Sequence, residues 1–326
     1  MSKPDPITRR RAVSRLAMSA ALPYLGGAGA AWADKFPSRT ISFLIPDSGG
    51  GTFDTYVREF SQIMSKQSSV NIAPISMPGA GGRTAVFNLL HDRPDGYTIG
   101  MPNVPGLLTS QYDKNQTQLD LTKLTWVGNL GRDLYGLAVS AKSPIRNVAD
   151  LKKQAAKKPI SFPSTGFGST DYFATRVFVS LLGLNYRQIL GYTGSAPTMI
   201  AVARGDVDAV VHSYASLKAM ETSGLIRTIF VFENNTKLPG VDDATTVGKP
   251  ELGEIFQWRP VAAPPGVPAD VVSQLSQMLM KAAHSPEAVA WAKNTGAGLF
   301  PLDHAGTVKM IQAQQALVQK WKNALS

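Results

Sequence analysis

Three consecutive glycines, Gly49, Gly50 and Gly51, stand between two carboxylates, Asp47 and Asp54. Glycine lets a backbone approach a ligand closely and present its N–H groups. A helix start behind such a loop adds a partial positive charge. Together these attract an anion. No lysine follows the glycines, and neither phosphate-loop spacing, G-x-x-x-x-G-K-[ST] or G-x-G-x-x-G, is present. A polyphosphate would lack its clamp and would meet Asp47. A carboxylate needs only a few donors and fits better.

Three further loops repeat the design. Pro78-Gly79-Ala80-Gly81-Gly82 precedes a second helical stretch. Ser164-Thr165-Gly166-Phe167-Gly168-Ser169-Thr170 offers four hydroxyls and two glycines at a third. Gly191-Tyr192-Thr193-Gly194-Ser195-Ala196-Pro197 places a proline in the first turn of a fourth. Any one of these serves capping and turn formation equally well; four together point to a binding cleft. Asp54 either complements the helix dipole, orders the loop or meets a ligand donor. Asp47 follows Pro46 and either meets a ligand ammonium or hydroxyl or is solvated at the rim.

Catalytic constellations are weak. The four histidines, His91, His212, His284 and His304, lack metal-ligand spacing. No G-x-S-x-G elbow occurs. A hydrolase would have to use Ser169 or Ser213 with His212, and no catalytic residue is assigned. There is no cysteine, which excludes disulfides, thiolate metal sites and cysteine nucleophiles. No metal or cofactor is expected.

The elements that position these loops alternate along the chain. Thr40 to Ile45 reads as a strand, Phe53 to Ser65 as a helix, Val70 to Ile75 as a strand, Arg83 to His91 as a helix and Tyr97 to Met101 as a strand. Residues Pro102 to Trp126 read as polar and turn-rich. A second set follows: strand Leu137 to Val139, helix Val148 to Lys157, strand Ile160 to Phe162, helix Thr170 to Leu182, a strand near Ile189, helix Pro197 to Arg204, and strands Ala209 to His212 and Thr228 to Phe232. Pro260 to Pro268 reads as a proline-rich crossing, followed by helices Ala269 to Ala283 and His304 to Leu325. This rhythm predicts α/β units with mainly parallel sheets, and in such sheets ligands sit beyond the carboxyl ends of strands.

The chain has 326 residues and is 44% hydrophobic, enough for two domains with sizeable cores. Its first residues read as an export signal. Arg9, Arg10, Arg11 and Arg15 precede an apolar run from Leu16 to Ala31, and Ala31-Trp32-Ala33 fits small-x-small cleavage. Thr8-Arg9-Arg10 resembles a twin-arginine signal. Residues 1–33 hold five bases and one acid, so the formal net charge of +10 falls to +6 without them. No basic run interleaved with aromatics points to nucleic acid.

The order of motifs resembles the Bug-type extracytoplasmic receptors of tripartite tricarboxylate transporters. Phe36-Pro37-Ser38-Arg39 with Ile41, Ile45-Pro46 with Gly50, Gly51, Asp54 and Arg58, Pro78 to Gly82, and Pro94-Asp95-Gly96-Tyr97-Thr98 are similar to the family's first half. Gly191-Tyr192 with Gly194, Ala196 and Pro197, Gly205-Asp206-Val207-Asp208, and Trp258 with Ala263 to Pro268 are similar to its second. The resemblance implies a two-lobed type II periplasmic binding fold, each lobe a mainly parallel sheet flanked by helices, with the ligand cleft between lobes. One lobe is expected at 34–135 plus 259–326 and the other at 136–258. It implies a periplasmic, monomeric, non-enzymatic receptor that delivers a small carboxylate to membrane transporter subunits, or signals it to a membrane sensor kinase. Ligand contacts are expected from Asp47, Ser48, Gly49, Gly50, Gly51, Thr52, Phe53 and Asp54; Ala80, Gly81 and Gly82; Ser164, Thr165, Gly168, Ser169 and Thr170; Thr193, Gly194, Ser195 and Ala196; and Ser213. Four positions depart from the family. Asp47 replaces an aromatic or apolar residue and Phe53 a small one, while Met77 and Thr193 stand where bases are frequent. Losing two bases favours a dicarboxylate or aromatic carboxylate over a tricarboxylate.

Overall fold

The computed structural model describes residues 36–68, 70–112 and 119–325; the export signal expected at residues 1–33 lies outside them. The run ISFLI forms β1 (Ile41–Ile45), almost wholly buried, as a central parallel strand requires. In α1 (Thr52–Ser68), Phe53, Tyr56, Val57, Phe60, Ile63 and Met64 recur at three- and four-residue spacing and are buried on one face. Then follow β2 (Ile72–Ser76), α2 (Arg83–His91), β3 (Thr98–Gly100) and the long β4 (Thr125–Ser140). Next come α3 (Val148–Ala155), β5 (Ile160–Pro163), α4 (Thr170–Leu182), β6 (Tyr186–Ile189), α5 (Ser195–Arg204), β7 (Ala209–Ser213), α6 (Tyr214–Thr222), β8 (Ile226–Val231) and β9 (Asp242–Asp243). The chain closes with β10 (Phe256–Ala263), α7 (Ala269–Ala283), α8 (Pro286–Thr295), β11 (Leu299–Leu302), α9 (His304–Lys320) and α10 (Lys322–Leu325).

Among the described residues, nine strands form one sheet in the order β2-β1-β3-β10-β4-β8-β9, with β11 and β7 also pairing with β4. β5 and β6 form a separate parallel pair. The expected parallel character holds for β1 with β2 and β3, and for β8 with β9. The antiparallel pairings all involve β4 or β10. β4 is the spine: up to Leu134 it pairs with β10 and β11, and from Tyr135 onward with β7 and β8.

That spine differs from the sequence expectation, which placed a strand only at Leu137 to Val139. Its first ten residues contain Gly128, Gly131, Arg132 and Asp133 and do not read as a strand. Gly131 is there because Tyr56 closes on it: a methyl group at Gly131 would lie 2.6 Å from the Tyr56 hydroxyl. The expected crossing at Pro260 is likewise strand. Pro260 lies at a register shift between β10 and β4, where a missing N–H costs no ladder bond. The turn-rich reading of Pro102 to Trp126 covers a buried 3₁₀ segment, Gly106–Tyr112. Two short helices, α6 and α8, were not expected. The start of α8 carries a legible signal: Ser285 caps it by accepting from Ala288 N, and Pro286 occupies the first turn.

Two large cores flank the sheet. One packs Phe43, Phe60 and Ile63 against Leu275 and Leu279 of α7. The other packs Leu137, Phe162, Phe178, Phe230 and Phe232.

Candidate functional site

The four loops follow the carboxyl ends of β1, β2, β5 and β6. Within each parallel pair the strands end level, Ile45 opposite Ser76 and Pro163 opposite Ile189, so their loops emerge side by side. Across the pairs the loops touch. The Ser48 hydroxyl donates to Thr193 O at 2.9 Å. A methyl group at Gly194 would lie 2.8 Å from Ser48 Oγ, and one at Gly51 would lie 2.7 Å from Ser195 Oγ. On the other side, a methyl group at Gly81 would lie 2.5 Å from Phe167 O and 2.9 Å from Ser169 N. Tyr192 N, donating to Ser164 O at 3.3 Å, ties the third loop to the fourth. The loops thus form a closed ring, and only glycine permits its tightest contacts.

The ring sorts the expected residues by what their atoms already do. Asp54 orders the first loop: it accepts from Gly50 N at 3.1 Å and from Arg58 Nε at 2.7 Å. Thr52 Oγ1 accepts from Arg259 Nη2 at 2.8 Å. Phe53 is buried beneath the same guanidinium, 4.1 Å from its ring centre, and belongs to the core. Thr170 Oγ1 bonds Asn103 Oδ1 at 2.7 Å and receives Gly106 N at 3.1 Å, so its hydroxyl braces the neighbouring turn. Ser169 caps α4 by accepting from Tyr172 N at 3.2 Å, and donates to Gly166 O at 2.7 Å. Thr165 is held by Asp171, through its amide at 2.9 Å and its hydroxyl at 3.0 Å. Gly82 starts α2 and Gly168 precedes α4, both at positive φ. Ala80 shares the Gly81 turn, itself at φ 48°. Ser195 and Ser213 are fully buried, and neither hydroxyl has a partner among the described residues.

Sequence reasoning missed the charges beneath the ring. Arg259 is fully buried and ion-paired with Asp133, its Nε 2.9 Å from Asp133 Oδ2. Asp133 also accepts from the Tyr56 hydroxyl at 2.9 Å and from Gly298 N at 3.0 Å. Burial works against the guanidinium charge, but Asp133, Tyr56 and Tyr135 together outweigh it and the pKa of Arg259 is shifted upward. The available signal was an arginine inside the apolar run Phe256–Ala263. His212 stacks on Tyr135, and its Nδ1 accepts from Ser213 N at 2.8 Å. Burial pushes its pKa down to about 4, so it is neutral at pH 7.

Asp47 is half-buried. Its pKa is pushed up to about 7, first by burial and then by the Asp171 charge, with Arg259 pulling it down. In an unfolded chain the group titrates near 3.8. The folded state therefore holds the proton more tightly, and ionisation costs stability increasingly up to about pH 7. Asp47→Asn is expected to raise the melting temperature of the ligand-free protein by several degrees above that pH. The gain should fade as pH falls toward 4. Differential scanning fluorimetry across that range checks this; an equal gain at every pH would refute it.

A cavity of about 490 Å³ opens beside the ring, lined by Gly50, Gly51, Thr52, Ala196, Met199 and Trp291 among others. That volume suits a small molecule. A larger one, about 620 Å³, lies between α7 and the start of α9, lined by Val272, Ser276, Met280 and His304. None of the four loops lines it, whereas the first and fourth loops line the smaller cavity.

The family model for the tripartite tricarboxylate transporter family receptor matches residues 57–325. A relative from Bordetella pertussis, one of the UPF0065 proteins, is 25% identical over 316 residues, spanning 96% of this chain and 95% of that one. The solved periplasmic binding protein BugD has a TM-score of 0.81 at 22% identity, covering 89% of this chain and 98% of that chain. R. palustris Rpa4515, solved with adipate, has a TM-score of 0.81 at 24% identity with the same coverage. These likenesses establish a periplasmic binding protein fold, as the sequence led us to expect.

Proposed function

The chain belongs to the tripartite tricarboxylate transporter receptor family as a Bug-type solute-binding receptor, and on that premise we propose that it captures a small carboxylate within its ring of loops and delivers it to membrane transporter subunits. The observation that carries this reading is the ring itself. Loops at the carboxyl ends of four strands, each leading into a helix start, meet where glycine alone permits the closest contacts. Backbone amides at helix starts, with bridging water, suffice to bind a carboxylate. The adipate in the R. palustris neighbour is consistent with a dicarboxylate.

The receptor works as a periplasmic monomer, exported by the signal at 1–33, and performs no chemistry on its ligand. Its two lobes meet within β4, where pairing partners change between Leu134 and Tyr135. Closure of the lobes buries the ligand and creates the form the transporter recognises.

A thermal-shift screen of mono-, di- and tricarboxylates, aliphatic and aromatic, tests the reading. A ligand at 100 times its Kd stabilises the folded state by about 2.7 kcal/mol, and a rise of several degrees is expected for a dicarboxylate or an aromatic carboxylate. A shift with another ligand class and with no carboxylate would overturn it.

A further inference from the structure

We propose that Asp47 is the specificity-determining residue of this cleft and that it receives an ammonium group, so that the ligand is a carboxylate bearing an amine. The inference rests on the carboxylate-receptor reading above and names the ligand class within it.

Position comes first. Asp47 lies where the first and fourth loops meet, its Cβ 4.0 Å from a methyl group placed at Gly194. A methyl group at Gly51 would lie 3.8 Å from Asp47 Oδ2 and 2.7 Å from Ser195 Oγ. The acid and the serine hydroxyl therefore both lie against Gly51. Among the described residues nothing hydrogen-bonds the Asp47 carboxylate, in contrast to Asp54 and Asp171, which are engaged by loop amides. The Ser195 hydroxyl beside it is buried and also without a partner. A second buried, unpartnered hydroxyl, Ser213, follows His212 at the end of β7. Buried polar groups are as a rule satisfied, so unpartnered ones at a cleft mark where a ligand's polar atoms belong.

Charge decides what those atoms are. The charges that act on Asp47 are Asp171 of α4 and Arg259 of β10; Tyr135 of β4 feels the Asp47 charge in turn, and His212 of β7 shares the fields of Asp171 and Arg259. The positive charge of Arg259 is taken up by Asp133. Burial holds His212 neutral, and it holds Tyr135 neutral by raising its pKa well above the ordinary phenol value. Above about pH 7 Asp47 is an anion with no ion-pair partner of its own, and the nearby Asp171 works against its charge. A plain dicarboxylate would add two more negative charges. An ammonium beside Asp47 removes the conflict, while the loop amides hold the ligand's carboxylate.

The pH dependence has opposite sign for the two ligand classes. Ionisation of Asp47, at about pH 7, strengthens binding of an ammonium and weakens binding of a dianion. Calorimetry on the mature protein at about pH 6 and about pH 8 would compare γ-aminobutyrate with succinate, and ε-aminocaproate and α-aminoadipate with adipate. We expect the amino member of at least one pair to bind tenfold or more tightly, the gap to widen at the higher pH, and Asp47→Asn to close it. If the plain dicarboxylates bind more tightly at both pH values and Asp47→Asn strengthens them, the inference is overturned while the receptor reading stands. If Asp47→Asn weakens both members of each pair equally, Asp47 only shapes the loop and the inference again fails. If no carboxylate of either class binds, both readings fall.

Discussion

Gly81→Ala is expected to lower carboxylate affinity at least 100-fold while leaving the protein folded. Gly81 sits at φ +67°, and a methyl group there would lie 2.5 Å from Phe167 O and 2.9 Å from Ser169 N. Both are backbone atoms of the loop that starts α4, so neither can swing aside as a side chain would. The second and third loops would have to part, and the ring would open where it should close on ligand. A hundredfold loss corresponds to about 2.7 kcal/mol. Part of any effect is backbone strain, because alanine in a left-handed conformation costs about 1 kcal/mol. Gly224→Ala separates the two contributions: Gly224 has φ +69° and nothing within 4 Å of an added methyl. It should lose similar stability and keep its affinity. Isothermal titration with any ligand found by the thermal-shift screen, alongside urea denaturation of both variants, decides the matter. Equal affinities for the two variants would remove the second loop from the binding model.

Arg259→Ala should produce the largest loss of stability, about 3–5 kcal/mol, because it leaves the Asp133 carboxylate buried without its cation. Tyr56 and Gly298 N would still donate to Asp133, but two neutral donors do not replace a guanidinium. The consequence reaches the ligand loop as well. Arg259 bonds Thr52 Oγ1 at 2.8 Å and covers Phe53, and these residues begin α1 directly behind the three glycines. Stability and binding can be separated with the double variant Arg259→Met, Asp133→Leu. Removing both charges in favour of apolar groups should recover much of the lost stability. It should not recover affinity, because the Thr52 anchor stays broken. A single variant within about 1 kcal/mol of the parent in urea titration would show that the pair is not a structural hub.

Affinity and stability pull against each other at Asp47. The carboxylate weakens the empty fold above about pH 7 and waits for a partner that the protein does not supply. A structural acid would be paired, as Asp133 is. Sites that sacrifice stability in this way are commonly functional.

The local chemistry of the loops was legible in the sequence. Glycine runs before helix starts, hydroxyls at caps and Pro197 in a first turn are short-range signals, and the structure places these residues at strand and helix ends. The α/β alternation was legible for the same reason: the periodicity of β1, α1 and α7 follows from which faces they bury. Two things were decided only by tertiary structure. One is the spine, since β4 and β10 become strands through pairing with each other despite glycines, charges and Pro260. The other is the electrostatics of the cleft. Asp47, Asp133, Asp171, His212 and Arg259 are scattered over more than two hundred positions, and nothing local says that folding brings their charges within reach of one another. Loop conformation depends on residues close in sequence. The charge state of Asp47 depends on burial and on groups that only folding brings near it.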